Sequence, residues 1–488
     1  MRIRALLVCA PLLAFVLSLR PVDNFDLGFN LRIGEHVARA GIPVTDPFSY
    51  PGEGKPWALE QWLGPLAFWE VFERGGIVAV IVAKALVAAL AIALVAAAAL
   101  RAVRGEEGDH AALAGSGARA APAISAGEVT LAAVASLLAA VAAEPRFLAQ
   151  PNVLSLLGVA AVVLAVQGRA PLWLVPLFAL WPHVHPGYLT GLAALGAAAL
   201  ADLSVRRVRT ALVGLACAAA CAASLAIFHP LHLAPLWHVL AIFGSPSIRA
   251  SIAEFAPLWR SYSIGAPLLA LALLPPAGWL AARRLPRRHV LLWALFVFSA
   301  LRVGRLVGDA ALVLAPVFAD SLAHALRALR PRLEGLARLA TPGRLAALPI
   351  AAAAIAAAGH ALDPASRPLD WPGMYLPREC YAFLDAHPMP PRGFNDLWFG
   401  GSFIFHFDGR RKTFIDGRSF YSDEFFRDEY LPIRNAQPGW EKVAARWGVE
   451  WFLLYPTRFA ALQRALRSQP DRYALVHQDA QCVVFRKR

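Results

Sequence analysis

Charge is scarce in this chain. Only 16% of its 488 residues are Asp, Glu, Lys or Arg, against 58% hydrophobic residues. With a mean hydropathy of +0.52, the chain is too apolar for a water-soluble globule of ordinary surface and is expected to reside in a membrane. Acidic residues are the scarcer sign, 33 against 47 basic, which leaves a formal charge of +14. Nucleic-acid binding would need those basic residues clustered on one soluble face or beside stacking aromatics. Many lie between apolar runs instead, so no nucleic-acid partner is expected. Also absent are a P-loop, a dinucleotide fingerprint, a G-x-S-x-G elbow and an H-E-x-x-H helix. There is no short-period repeat and no long low-complexity segment beyond Ala-rich runs. The N-terminal MRIRALLVCAPLLAFVLSLR has the basic and apolar parts of a signal peptide but no small-x-small cleavage site, so it reads as an uncleaved first span. Cysteines number five. Cys9, Cys217 and Cys221 fall in apolar runs, where a thiol behaves as a small hydrophobe. Cys380 and Cys482 lie in a polar tail and can pair if that tail is outside the cytoplasm; the spacing alone leaves a disulfide open.

What is present is a series of apolar runs, long enough to span a bilayer or nearly so. They lie at about 5–20, 76–100, 127–143, 152–167, 171–183, 187–203, 210–228, 262–281, 289–303, 306–320 and 345–360. That predicts about eleven transmembrane helices, and retained arginine marks the cytoplasmic side of each connection. Starting inside, the inner connections carry Arg101, Arg104 and Arg119, then Arg169, then Arg206, Arg207 and Arg209. Arg283, Arg284, Arg287 and Arg288 follow, then Arg327, Arg330, Arg332 and Arg338. Every predicted inner loop is basic. The odd span count places residues 21–75, 229–261 and the tail outside. Arg-rich, Ala-rich composition points to a bacterium with a GC-rich genome, and hence to its inner membrane. The organisation expected is a polytopic membrane domain over 1–360, with a long outer loop at 21–75, followed by a small extracytoplasmic α/β domain over 361–488. In the loop, LGFNLRIGEHVARAGIP reads as an amphipathic helix closed by Gly41, and PWALEQWLGPLAFWEVFERGG as a Trp-rich interfacial helix. In the tail, SFIFHF, KTFID, WFLLY and CVVFRKR read as strands, and LPRECYAFLDAH and GWEKVAARWG as helices.

Several polar residues sit where chemistry at a membrane surface would need them. Asp23 and Asp26 follow the first span. A carboxylate there can deprotonate an acceptor hydroxyl or hold a divalent metal against a phosphate; helix capping or plain solvation is the alternative. Asp46, fixed before a proline in TDPFSY, and Glu60 face the same choice. His183 and His185 in WPHVHPGY can ligate metal or contact phosphate, against simple interfacial packing. His229, His232 and His238 follow on the same side. Arg302, Arg305 and Asp309 lie in an apolar stretch where an ionisable group is costly. Arg305 and Asp309 are spaced to pair on one helix face, which would free Arg302 for a lipid phosphate; a snorkelling pair at the membrane end is the alternative. Lys84, inside the second span, reads as snorkelling rather than as a ligand. Asp416–Gly417–Arg418 has the form of a tight turn.

Taken together, DLGFNLRIGE, GIPVTDPFSY, PWALEQWL, LWPHVHPGY, SIAEFAPLW and GGSFIFHF…FIDGRSFY resemble the motif series of a family of bacterial membrane proteins of the GT-C glycosyltransferase class. The resemblance covers nearly the whole chain and is most specific in the middle segment and the tail. It implies an inverting glycosyltransferase that uses a polyprenyl-phosphate-linked sugar donor and a cell-envelope glycan, lipid or protein acceptor. Asp26, with Asp23, would be catalytic. Arg302, Arg305, His183, His185, Glu254 and Glu60 would bind substrate or phosphate, and Asp26 and His185 would serve a divalent cation if one is used. The tail would cover the site or recognise the acceptor. The sequence departs from the family at Asn24, in the first acidic place of D-x-D; at Gly28 and Phe29, in place of paired tryptophans; and at Asn30, in place of histidine. His183 stands for Asn and Pro186 for Gly. These departures keep two other readings open: a non-catalytic scaffold for envelope polysaccharide, and a lipid or glycan transporter.

Overall fold

A computed structural model describes residues 5–105, 124–168, 170–246, 253–261, 265–332, 342–418 and 420–488. Arg119, Arg169 and Arg338, three of the arginines expected at inner connections, lie outside the described residues. The membrane part is helical throughout: α1 (Leu6–Ser18), α2 (Leu27–Ala40), α3 (Leu63–Arg104), α4 (Ala126–Ala143), α5 (Asn152–Ala165), α6 (Leu174–Val184), α7 (Tyr188–Leu203), α8 (Arg209–Phe228), α9 (Ala234–Gly244), α10 (Ala266–Ala282), α11 (Arg287–Arg302), α12 (Val307–Leu329) and α13 (Pro342–Leu362). A helix coincides with each of the eleven apolar runs. Among the described residues, four helical stretches are long and apolar enough to cross a membrane: Leu63–Arg104, Ala126–Arg146, Arg209–Phe228 and Gly304–Leu329.

Small residues explain how these helices pack. In a bilayer no hydrophobic drive brings helices together, so close approach of backbones supplies the contact energy. The helix α3 buries Ala85, Ala88, Ala91, Ala98 and Ala99, and α4 buries Ala132, Ala135, Ala139 and Ala140. Both lie against α12, in which every residue from 310 to 321 is buried. The first outer segment contains α2, which ends at Gly41 with φ +83. The Trp-rich segment begins its helix at Leu63 and runs into α3 through a break at Gly76, φ +64. A residue with a Cβ is strained at such a φ, so glycine sits where the interfacial part turns into the membrane.

The tail carries a four-stranded sheet. Its strands are β1 (Gly393–Asn395), β2 (Trp451–Leu454), β3 (Tyr473–Gln478) and β4 (Val483–Lys487), in the order β1-β2-β4-β3, parallel between β1 and β2 and antiparallel elsewhere. Around it stand α14 (Arg378–Ala386), α15 (Leu397–Phe407), α16 (Trp440–Arg446) and α17 (Ala460–Arg467). Cys380 on α14 and Cys482 before β4 are joined by a disulfide. Two expected strands are absent. SFIFHF is part of α15, and KTFID contributes only a single bridge, Thr413 to Ser49. The aromatic alternation of SFIFHF mimics a strand, yet residues 399–404 are buried in succession rather than alternately. The helix starts on Asp396, whose Oδ1 accepts the Trp398 N–H at 2.9 Å. It then crosses α2 so closely that a Cβ on Gly28 would collide with the Gly401 carbonyl oxygen, and one on Gly401 with that of Phe25. Tertiary packing overrides the strand propensity of Phe and Ile here.

Candidate active site

Asp26 stands at the start of α2, but its carboxylate does not cap the helix. That role belongs to Asn24, whose Oδ1 accepts the N–H groups of Asp26 at 3.1 Å and Leu27 at 3.0 Å. The amide that replaces an expected acid therefore starts the helix, and the second acid is released from local duty. Asp26 lines a polar cavity of about 530 Å³ of open space, together with Asn30, Glu60, Gln61, Gln150, Asn152, His185, Arg305 and Arg418. A second cavity, of about 870 Å³, shares Glu60, Gln61, Asn152, His185 and Arg305 with the first. Its remaining wall is more apolar, with Leu156, Leu189, Val239, Phe255, Val303 and Leu306, and it includes Arg146 and Asp309. The two form one continuous arrangement, polar at Asp26 and apolar beyond Arg305.

The charges in this space are arranged in a definite way. Burial pushes the Asp26 carboxyl up to about 7; nearby Glu254 adds to the rise, and Arg305 opposes it. The residue is half-buried and reaches the cavity. Glu254 forms an ion pair with buried Arg146, Nη1 to Oε2 3.0 Å. Burial works against the Glu254 charge, but Arg146 and Arg305 hold its pKa below the usual carboxylate value. The Arg305 guanidinium lies 5.5 Å from the Phe255 ring centroid and makes no ion pair among the described residues, so its charge faces the shared wall of both cavities. Asn30 and Asn152 add buried Oδ1 atoms with no hydrogen-bond partner among the described residues. Each Nδ2 is committed, to the Asp26 carbonyl at 2.9 Å and to that of Arg146 at 3.0 Å. Two orphaned acceptors in a polar cavity suit a ligand rich in hydroxyl donors.

His185 is held by its Nδ1, which accepts the Gly187 N–H at 3.0 Å and lies 2.9 Å from Ser155 Oγ. Trp181 Nε1 donates to that Oγ at 2.8 Å, so the Ser155 hydroxyl donates to the ring. A neutral imidazole accepting at Nδ1 carries its proton on Nε2 and offers a donor, which suits phosphate or carbonyl oxygen better than a metal ion. Among the described residues the group of three side chains close enough to hold a metal is His477, Asp479 and Cys482. The Cys482 sulfur is committed to the disulfide. The residues around Asp26 thus do not make a ready cation cage, and no chemistry is routed through a metal below.

Other expected site residues lie elsewhere. Asp23 pairs with Arg20, Oδ2 to Nε 2.8 Å, and Arg20 also meets Glu144. His183 accepts the Trp62 indole N–H at Nδ1, 3.0 Å, and packs against Phe228. His229 contacts the Leu59 carbonyl at 3.0 Å and His232 that of Ala226 at 2.8 Å, so the imidazoles do not converge on either cavity. The expected Arg305–Asp309 ion pair does not form among the described residues. Val303, at φ −139 and ψ 103, breaks the helix between α11 and α12 and places Arg305 in a 3-10 turn. Arg302 ends α11 exposed, away from the cavities, whereas Arg305 turns inward.

Arg146, Gln150 and Asn152 also line these cavities and are not among the residues expected from the sequence. A signal existed: the predicted outer connections are poor in arginine, so one retained beside a proline in EPRFLAQPN is out of place by the positive-inside rule. Asp416–Gly417–Arg418 is more than the expected tight turn. Arg418 is buried between Asp46, Nη1 to Oδ1 2.6 Å, and Asp416, Nε to Oδ1 2.7 Å, and lies over the Trp57 ring at 4.6 Å. Tyr421 completes the network with a 2.8 Å bond to Asp416. Burial works against the Asp46 charge, but Arg418 holds its pKa below the usual value. Gly417 passes so near Asp26 that a Cβ there would lie 2.6 Å from Oδ1. The tail therefore closes the polar cavity from above.

No protein-family model and no curated protein matches the chain. It is similar to two solved structures of archaeal oligosaccharyltransferase from Archaeoglobus fulgidus. The apo form aligns at 15% identity over 92% of this chain and 69% of that one, with a TM-score of 0.48. AglB in complex with an inhibitory peptide and a dolichol-phosphate aligns at 13% identity over the same shares, with a TM-score of 0.45.

Proposed function

We propose that the chain is a GT-C-like integral-membrane glycosyltransferase that moves a sugar from a polyprenyl-phosphate donor to a cell-envelope acceptor. The observation that carries this reading is the shared cavity. It holds a carboxyl titrating near neutrality and an arginine without a carboxylate partner among the described residues, and it adjoins an apolar chamber. A lipid-linked phosphate sugar has matching parts: an apolar chain for the chamber, a phosphate for Arg305 with His185 Nε2–H as a second donor, and sugar hydroxyls for Asn30 and Asn152. Asp26 takes the proton of the acceptor hydroxyl as its oxygen bonds to the anomeric carbon. The bond from that carbon to the donor phosphate oxygen breaks, its electron pair leaves with the phosphate, and the anomeric configuration inverts. Arg305 stabilises the charge that gathers on the leaving phosphate. Arg146 holds Glu254 in place beside this pair. The wider frame is part of the same proposal: eleven spans, an inner-membrane location, a membrane domain over 1–360 and an extracytoplasmic domain over 361–488 that covers the site.

Purified full-length chain is incubated with radiolabelled polyprenyl-phosphate sugars and envelope extract, wild type beside Asp26→Asn and Arg305→Gln. Wild type should transfer label, and Asp26→Asn should fall roughly 100- to 10,000-fold while expressing normally, the range expected for loss of a general base. Transfer from no donor sinks the enzyme reading. Equal activity of Asp26→Asn removes Asp26 from the chemistry. One observation favours the scaffold alternative, namely that the Asn24 side chain is committed to starting α2, which leaves a single acid of the D-x-D pair. A scaffold would keep polysaccharide assembly in cells carrying Asp26→Asn; a transferase would not.

A further inference from the structure

A third cavity lies far from Asp26. The helix that begins beside Arg305 runs to Leu329, and Arg327 near its end lines this other space. At 1.5 Å per residue the two arginines are about 33 Å apart along the axis, roughly the thickness of a hydrocarbon core. The cavity has about 1530 Å³ of open space and lies where the ends of α3, α7 and α12 meet the α10–α11 connection. Among the described residues, seven arginines and two carboxylates line it.

Topology alone asks only that arginines stay on one side; it does not ask that they converge on a hollow. Here the two carboxylates are already engaged within the wall. Asp320 pairs with His289 at 2.9 Å and His324 at 3.3 Å, and Asp202 with Arg288 at 2.6 Å and Thr210 at 2.5 Å. Two arginines are braced on neutral acceptors, which fix the guanidinium without cancelling its charge. Arg287 donates to Ser204 Oγ at 2.9 Å and Arg327 to the Val103 carbonyl at 3.0 Å. Arg284, Arg287 and Arg327 remain exposed. Arg287 and Arg327, fixed on neutral acceptors and with no carboxylate partner among the described residues, present guanidinium forks suited to phosphate oxygens. Its lining also includes Val205, 49% exposed, and Leu285, 71% exposed. Apolar side chains left bare beside the arginines favour an amphiphile over a free anion.

We propose that this cavity binds the phosphate headgroup of an anionic phospholipid, with the acyl chains leaving past Val205 and Leu285. The phosphate is the shared chemistry, and the lipid is its source. Such pockets between helix ends on the positive side of a membrane protein are suited to diphosphate lipids. The site is separate from the sugar-transfer reading and does not depend on it.

Native mass spectrometry of the full chain in mild detergent tests this, with cardiolipin, phosphatidylethanolamine and inorganic pyrophosphate as probes. Cardiolipin should remain bound to wild type. The combined variant Arg284→Gln/Arg287→Gln/Arg327→Gln should bind it about a hundredfold more weakly, since each basic residue contributes roughly one tenfold step or a little less. Phosphatidylethanolamine and pyrophosphate should each bind far more weakly than cardiolipin. Should the variant fail to fold, wild type alone still decides the matter. Charge-led binding must weaken strongly between about 0.05 M and about 0.5 M salt. Equal cardiolipin binding by wild type and variant, or salt-independent binding, overturns the site. Pyrophosphate as tight as cardiolipin overturns the lipid as its source.

Discussion

Asp26 shows how one residue can serve a reaction and weaken a fold. Its carboxyl is pushed up from the ordinary carboxylate range to about 7, because it is buried with Glu254 nearby. As a base it must be deprotonated, so transfer should rise with pH through about 7 and level off above it. Stability should move the other way. Below about pH 4 the group is neutral folded or unfolded and contributes nothing. Between about 4 and about 7 the unfolded chain releases the proton while the folded one keeps it, so wild type loses stability as pH rises. Asp26→Asn should therefore match wild type near pH 4 and exceed it by up to about 4 kcal/mol above pH 7, read as melting temperature by tryptophan fluorescence. A variant that melts lower than wild type at about pH 8 contradicts the buried-charge account. How far the sequence disclosed this site depends on range. Asp26, His185 and Glu60 were legible because loops that follow spans gather at a membrane surface. The separation of Arg305 from Arg302 was not, since it turns on one extended residue, Val303, inside an apolar stretch that reads as continuous. Arg20 lies three residues from Asp23 and was a local hint of pairing, but Glu144, which completes that network, comes from another connection.

At the scale of elements, the tail is bolted to the first loop by charge and by close packing. Arg418 is enclosed with Asp46 and Asp416, and the neighbouring bridge Ser49–Thr413 runs parallel to it. A buried pair of this kind is weak evidence of net stability, but removing one partner strands the other charges without water. Arg418→Met leaves two buried carboxylates uncompensated and should cost about 3–5 kcal/mol, seen as a lower melting temperature and faster proteolytic release of the tail. Arg427→Met, at an exposed pair, should change neither. If the two variants behave alike, the network does not fasten the tail. Gly28 and Gly401 act at the same joint by packing. Alanine at Gly28 would force α2 and α15 apart and should disturb the cavity above Asp26 without touching a charged group. The crossing explains the misread segment. SFIFHF has the composition of a strand, and only the pair of glycines before it hinted at a helix pressed against another backbone. WFLLY and CVVFRKR, central in a sheet that needs no such crossing, were legible as strands.

At the scale of the molecule, the distribution of charge argues for alternation of the chain across the bilayer. Arginines from separate predicted inner connections, Arg101, Arg207, Arg284 and Arg327 among them, line one cavity. Residues from predicted outer connections, Asp26, Gln150, His185 and Arg305, line the other. That sorting fails if a helix is miscounted between them, because losing one span inverts every later connection. The sorting agrees with the sidedness expected for the connections from α1 to α12. By the positive-inside rule the arginine end is the one expected in the cytoplasm. Alkaline phosphatase and green fluorescent protein fusions at residues 206, 285 and 370 test both parts at once. Fluorescence without phosphatase activity is expected at 206 and 285, and the reverse at 370. Equal signals at 285 and 370 mean that an even number of spans separates them and that the tail cannot share a compartment with the Asp26 cavity. Phosphatase activity at 206 and 285 with fluorescence at 370 keeps the alternation but turns the whole molecule over. In that case the Asp26 cavity would open to the cytoplasm, where a soluble nucleotide-sugar is at hand and a lipid-linked donor on the outer face is out of reach, and the proposed reaction would lose its substrate.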